Sequence, residues 1–163
     1  MPDQPPTDPL ELAVWSRDTL AALVDTLRRQ GPDKAVWTFG PEPRAAFWYR
    51  RMAHETSIHR WDGETAASPG APRPIDPELA ADGIDEVIAI FLVGVAPPTR
   101  LRLEATDVDG RWTVAADADG ELAVTGSASD LLLFLWGRAR SDRLTVTEGD
   151  AALLDRWQDA VEL

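Results

Sequence analysis

Apolar positions recur at helical spacing over residues 9–30, where Leu12, Trp15, Leu20, Leu23, Val24 and Leu27 fall on one stripe. Asp8 stands ready to cap this run, with Pro9 at the first helical position and Arg28-Arg29 suited to the negative end of the helix dipole. Gly31-Pro32 stops it. After a connector over residues 33–43 that holds Trp37 and Phe39, a second helical pattern runs from about Arg44 to Ala66. Its apolar positions include Phe47, Trp48, Met52, Ile58 and Trp61. The Pro/Gly-rich stretch Ser68-Pro69-Gly70-Ala71-Pro72-Arg73-Pro74 reads as a linker. It predicts a helical hairpin over residues 1–67 and a second domain over 75–163.

Beyond the linker the period changes. Asp76-Pro77-Glu78 opens a third helix with Leu79, Gly83, Ile84, Val87, Ile90 and Phe91 inward. Short alternating segments follow at Arg100–Thr106, Arg111–Ala116 and Glu121–Thr125, separated by Asp109-Gly110 and Asp119-Gly120, two hairpin signals. Ser129-Asp130 caps a fourth helix from Leu131 to about Arg140. Leu144–Thr147 reads as a further strand, and Gly149-Asp150 leads into a last helix through Trp157. The order α-β-β-β-α-β-α predicts an α+β domain on a small antiparallel sheet.

Composition narrows the partners. The 163 residues carry 28 Asp and Glu against 16 Lys and Arg, a net charge of −12. That disfavours nucleic acid and anionic membrane surfaces, which reward basic patches. There is no cysteine, so the chain offers no disulfide, no thiol nucleophile and no thiolate ligand. Thiol chemistry would need a thiol from outside. With no signal-like run near Met1–Pro9 and no apolar stretch of membrane length, a cytoplasmic protein is expected.

The candidate chemistry sits in His54-Glu55-Thr56-Ser57-Ile58-His59-Arg60-Trp61-Asp62, which contains both histidines of the chain. Glu55 and His59 stand four apart and share a helix face, as two ligands of one divalent metal would. His54 is turned roughly 140° from His59 and points elsewhere. Asp62 joins Glu55 and His59 in one sector, as a further ligand or as an orienter of the imidazole. The same trio also reads as a solvated or interhelical ion-pair cluster with Arg51 and Arg60, and spacing alone favours that reading over the metal one. Asp62 and Glu64 do not face each other, Ser57 has no base of its own beyond these histidines, and no glycine-rich phosphate loop is present. Two long amphipathic helices bury only one seam, so a C₂ homodimer completing a four-helix bundle is a further expectation.

Phe47-Trp48-Tyr49-Arg50-Arg51-Met52-Ala53-His54-Glu55-Thr56-Ser57-Ile58-His59-Arg60-Trp61-Asp62 resembles the last bundle helix of mycothiol-dependent maleylpyruvate isomerase-like proteins. Trp37-Thr38-Phe39-Gly40 is similar to the loop before that helix, and Pro74 through Glu86 to the start of the family's second domain. Gly126 to Arg138 and Gly149-Asp150 are similar to the end of that domain. The resemblance implies half of a DinB-like four-helix metal-binding bundle, followed by a small α+β domain with distant likeness to sterol carrier proteins. It implies zinc or another divalent metal held by a histidine of an early helix together with Glu55 and His59. It implies mycothiol as the thiol coenzyme and Arg138 as the catalytic arginine of the second domain. The early-helix histidine has no counterpart, since by this resemblance the chain begins halfway through the bundle. Two functions are therefore expected: metal-assisted thiol addition or transfer, or a non-catalytic, dimerising module that binds a small molecule.

Overall fold

The computed structural model describes residues 4–68 and 72–161. Side-chain caps start three of its helices, two of them where the sequence places them; the fourth helix is capped by Ser127 instead of Ser129-Asp130. Asp8 accepts from the backbone N–H groups of Leu10 and Glu11, both at 3.0 Å, and opens α1, Pro9–Gln30. Asp76 accepts from Glu78 and Leu79 and opens α3, Pro77–Glu86, which runs on into a π-helical turn, Val87–Phe91. Ser127 accepts from the Asp130 N–H at 3.1 Å and opens α4, Ala128–Leu135. Such caps satisfy amide groups that the first helical turn leaves without partners. The second helix, α2, spans Ala45–Ala67, and α5 spans Ala152–Ala160. Of the linker, Pro69, Gly70 and Ala71 lie outside the described residues. Among the described residues, no helix is long and apolar enough to cross a membrane.

The chain forms two compact units that divide between Ala53 and His54, inside α2. In the first unit, the Tyr49 hydroxyl donates to the Leu27 carbonyl at the carboxyl end of α1. The connector folds back through an isolated bridge between Ala35 and Arg44 and packs its aromatics on the start of α2. The Phe39 ring meets that of Phe47 edge-on at 4.9 Å, and the Trp48 indole N–H donates to the Trp37 carbonyl at 2.9 Å. Gly40 permits this approach, because a Cβ there would stand 2.4 Å from the Phe47 ring. The apolar stripe of α1 is not a buried face. Trp15, Leu23, Val24 and Leu27 are half-buried, Leu12 and Leu20 are exposed, and α1 buries no residue.

The second unit is built on four strands: β1 Arg100–Ala105, β2 Arg111–Val114, β3 Glu121–Gly126 and β4 Thr145–Glu148. Their order is β2-β1-β3-β4. Asp109-Gly110 closes the expected hairpin, with Leu103 opposite Trp112. Asp119-Gly120 does not close another. β3 lies beside β1 in parallel, Leu101 next to Leu122 and Leu103 next to Val124, and β4 pairs antiparallel with β3. The sheet is thus mixed rather than antiparallel. A simple meander would centre β2, a four-residue strand with two exposed positions, and leave six-residue β1 at the edge. Burial of Leu101 and Leu103 beside Leu122, Ala123 and Val124 favours the observed order.

α3 and α4 pack together and form the core with the sheet. Leu131 to Leu135 are all buried, and Phe134 stacks on Trp157 of α5 at 5.8 Å. The segment leading into α3 is fastened at two points. The Ile75 N–H donates to Ser129 Oγ at 3.0 Å. The Glu64 carboxylate of α2 accepts from the Arg73 backbone N–H at 2.8 Å, from the Arg73 guanidinium, and from Arg60 at 2.7 Å.

The Arg73 hydrogen bonds, reinforced by Arg60, hold the Glu64 carboxyl down at about 2, from an ordinary 4.5. A carboxylate with a depressed folded-state pKa adds stability above its unfolded pKa and loses it as pH falls through the folded one. Glu64 should therefore stay ionised between about 4.5 and 2, and in Arg73→Ala its carboxyl carbon should titrate nearer the ordinary value by NMR. Gly149 has a φ of 91°, and a Cβ there would stand 2.6 Å from the Glu121 carbonyl oxygen, whereas Gly137, with a φ of 70°, has open space. Urea denaturation should show Gly149→Ala destabilised by about 2–4 kcal/mol and Gly137→Ala by about 1 kcal/mol.

Candidate active site on the second helix

Helix α2 sorts its residues by angle. His54, Ile58 and Trp61 face inward and are buried, with Phe47 buried earlier on the same helix. His54 is 2% exposed and sits against α3, its Nδ1 2.8 Å from Oε2 of Glu86, itself 1% exposed. Its Nε2 lies 2.9 Å from Asp82 Oδ2, an electrostatic contact without hydrogen-bond alignment. Desolvating Glu86 is costly, and an imidazole at hydrogen-bond distance offsets part of that cost. Nothing in the sequence linked the two residues. The available signal was an acidic residue on the apolar face of α3, which needs a partner.

The opposite sector of α2 carries the candidate chemistry. Oε1 of Glu55 lies 2.9 Å from His59 Nε2, and Oδ2 of Asp62 lies 3.1 Å from His59 Nδ1. His59 is 60% exposed, so both ring nitrogens meet carboxylates in reach of solvent. Arg60 is not part of this cluster. It turns to Glu64 and to the carbonyls of Arg73 and Pro74. Arg51 is buried. Within this cluster His59 pairs with the Glu55 and Asp62 carboxylates of its own helix, and Arg60 pairs elsewhere.

Arg138 joins the cluster from the other end of the unit's sequence. After α4, the backbone N–H groups of Arg138 and Ala139 both donate to the Leu133 carbonyl, and Gly137 takes a φ of 70° to allow the turn. The Arg138 guanidinium donates to the Trp136 carbonyl at 2.6 Å and lies 5.7 Å from the centre of the Trp136 ring. That ring is held edge-on by Phe91 at 4.9 Å. Arg138 Nε reaches within 3.5 Å of Asp62 Oδ1. Glu55, His59, Asp62 and Arg138 thus form one continuous chain of contacts. Trp136, the platform under Arg138, had no signature in the sequence beyond being apolar.

Two family models match the chain. The mycothiol maleylpyruvate isomerase N-terminal domain matches residues 2–63, and the MDMPI C-terminal domain matches residues 78–156. The chain belongs to the mycothiol-dependent maleylpyruvate isomerase-like family. No curated protein and no solved structure matches it.

The family implies a zinc centre, and the donor set answers for itself. Glu55 Oε1 and His59 Nε2 are close enough to face one cation together, with Asp62 on the far nitrogen as an orienter. A catalytic zinc takes three protein ligands. Among the described residues, no group of three or more His, Cys, Asp or Glu side chains is placed to hold one ion. These residues do not by themselves fit a resident zinc.

The two histidines should respond differently to removal. His54→Ala removes the imidazole beside a buried carboxylate and should cost about 3–5 kcal/mol in chemical denaturation. His59→Ala, on an exposed face, should cost no more than about 0.5 kcal/mol.

Proposed function

We propose that the chain carries out mycothiol-dependent chemistry on an anionic small molecule, of the kind the family is named for, with His59 exchanging the proton and Arg138 holding the substrate's carboxylate. The observation that carries this reading is Asp62, whose two oxygens meet His59 and Arg138 at 3.1 and 3.5 Å. A base and an anion-binding fork are thereby set a few ångströms apart on opposite sides of one carboxylate.

The chain has no cysteine, so the nucleophile is the coenzyme's sulfur. With Nδ1 held by Asp62, His59 can take a thiol proton on Nε2 once that nitrogen leaves the Glu55 carboxylate 2.9 Å away, and a bound thiol would then act as a thiolate nucleophile. Arg138 exchanges Asp62 for a carboxylate of the substrate, its planar guanidinium suiting bidentate contact. Mycothiol, when bound, would supply a sulfur nucleophile that adds reversibly to a conjugated cis double bond and leaves it trans. His59 would take the thiol proton and return it to the departing sulfur, and Arg138 would hold the substrate's carboxylate throughout.

A second reading has its own support. His59 is largely exposed and, among the described residues, no third donor joins Glu55 and His59 to hold an ion, which suits a module that binds the anion without turning it over.

The wild-type protein should isomerise maleylpyruvate only when mycothiol is added, followed by absorbance. His59→Ala and Arg138→Ala should each lower kcat/KM by about a hundredfold or more, with Arg138→Lys recovering part of the loss. Absence of turnover at every thiol concentration would sink the enzymatic reading. Calorimetric binding of the dicarboxylate that disappears in Arg138→Ala would then support the binding module. Zinc found by elemental analysis at one per chain, and lost in His59→Ala, would identify Glu55 and His59 as metal ligands.

A further inference from the structure

In an unbroken α-helix Phe91, seven residues on from Ile84, would share the inward face of that fully buried residue. The π-helical turn changes this. The Leu92 N–H donates to the Val87 carbonyl at 2.9 Å, five residues back, which adds one residue to the turn. Leu92, 7% exposed, takes the inward place, and Phe91 is left half-buried against the Trp136 ring. Trp136 itself stands half-buried directly after the buried run Leu131 to Leu135. Two large aromatics are thus held at the margin of the core, beside Arg138.

We propose that Trp136, braced by Phe91, is a positioning residue that holds the Arg138 guanidinium ready for a substrate carboxylate. This rests on the reading of Arg138 as the partner of that carboxylate. Three contacts bear on the guanidinium. The Trp136 carbonyl accepts from Nη1 at 2.6 Å, Asp62 Oδ1 lies 3.5 Å from Nε, and the centre of the indole ring lies 5.7 Å from Cζ. Asp62 gives way when the substrate arrives. The carbonyl and the ring stay, and between them they fix the place and the orientation of the charged group. A free arginine side chain would lose its rotamer freedom on binding, at a cost to affinity. Attraction between the cation and the indole face removes part of that cost in advance. The Phe91 ring, edge-on at 4.9 Å, keeps the indole from turning. Glu55, His59 and Asp62 are placed by α2 and not by this ring. Loss of the ring therefore falls on substrate binding and spares proton exchange at His59.

Calorimetric titration of the whole chain with maleate, beside steady-state kinetics with mycothiol and maleylpyruvate, tests the role. Trp136→Leu should weaken maleate binding about tenfold and raise KM by a similar factor, with kcat within about twofold of wild type. Trp136→Phe, which keeps an aromatic face, should recover most of the loss. Phe91→Leu should weaken binding about threefold, and it decides the matter if Trp136→Leu fails to fold. Wild-type affinity in Trp136→Leu or in Phe91→Leu, alongside loss of binding in Arg138→Ala, overturns the positioning role and leaves Arg138 as the carboxylate's partner. A fall in kcat with KM unchanged overturns it as well. Binding by Trp136→Phe no tighter than by Trp136→Leu overturns the aromatic basis of the contact. No maleate binding by the wild type, or equal binding by Arg138→Ala, removes the reading of Arg138 itself and this inference with it.

Discussion

The buried pairing of His54 with Glu86 sets the rotation of α2, and the site follows from that rotation. With His54 turned inward against α3, Ile58 and Trp61 follow it into the core. His59, five residues on, is carried roughly 140° around and faces out. Glu55 and Asp62 come with it, one turn before and one turn after. Rotating α2 to place His59 inside would bury two carboxylates and strip Glu86 of the imidazole beside it, both costly in a low-dielectric interior. The face that carries His59 is therefore exposed because the other face is occupied.

A similar economy holds at Arg138. The guanidinium is positioned by backbone contacts that end α4: two N–H groups on the Leu133 carbonyl and a left-handed glycine at position 137. The buried leucine run fixes the helix, the helix fixes its end, and the end points the arginine across Trp136 toward Asp62. The core of the second unit thus acts on the site through the termination of one helix. The first unit offers a contrast, since its aromatic connector is well packed around Phe47 while α1 keeps apolar positions open.

Much of the site was legible because helical geometry is local. Four residues bring Glu55 onto the face of His59 and three bring Asp62, while five exclude His54, whatever the rest of the chain does. The caps at Asp8 and Asp76 were legible for the same reason. The His54–Glu86 contact was not, because it joins two helices whose relative register depends on the whole core. The sheet shows the same divide. Asp109-Gly110 specified a hairpin and made one, whereas Asp119-Gly120 carries an equal local signal and makes none. There the gain from centring β1 beside β3 outweighs the preference of a dipeptide.

By itself the sequence determined the extent of α1 and α2, the start of α3, the α-β-β-β-α-β-α order of the second unit, and the three-residue cluster on one face of α2. Each rests on contacts within a few positions along the chain, where spacing alone fixes geometry. Only the tertiary structure decided the parallel pairing of β1 with β3, the burial of His54 and the approach of Arg138 to Asp62. These depend on which apolar surfaces are removed from water together, and that is a property of the whole fold.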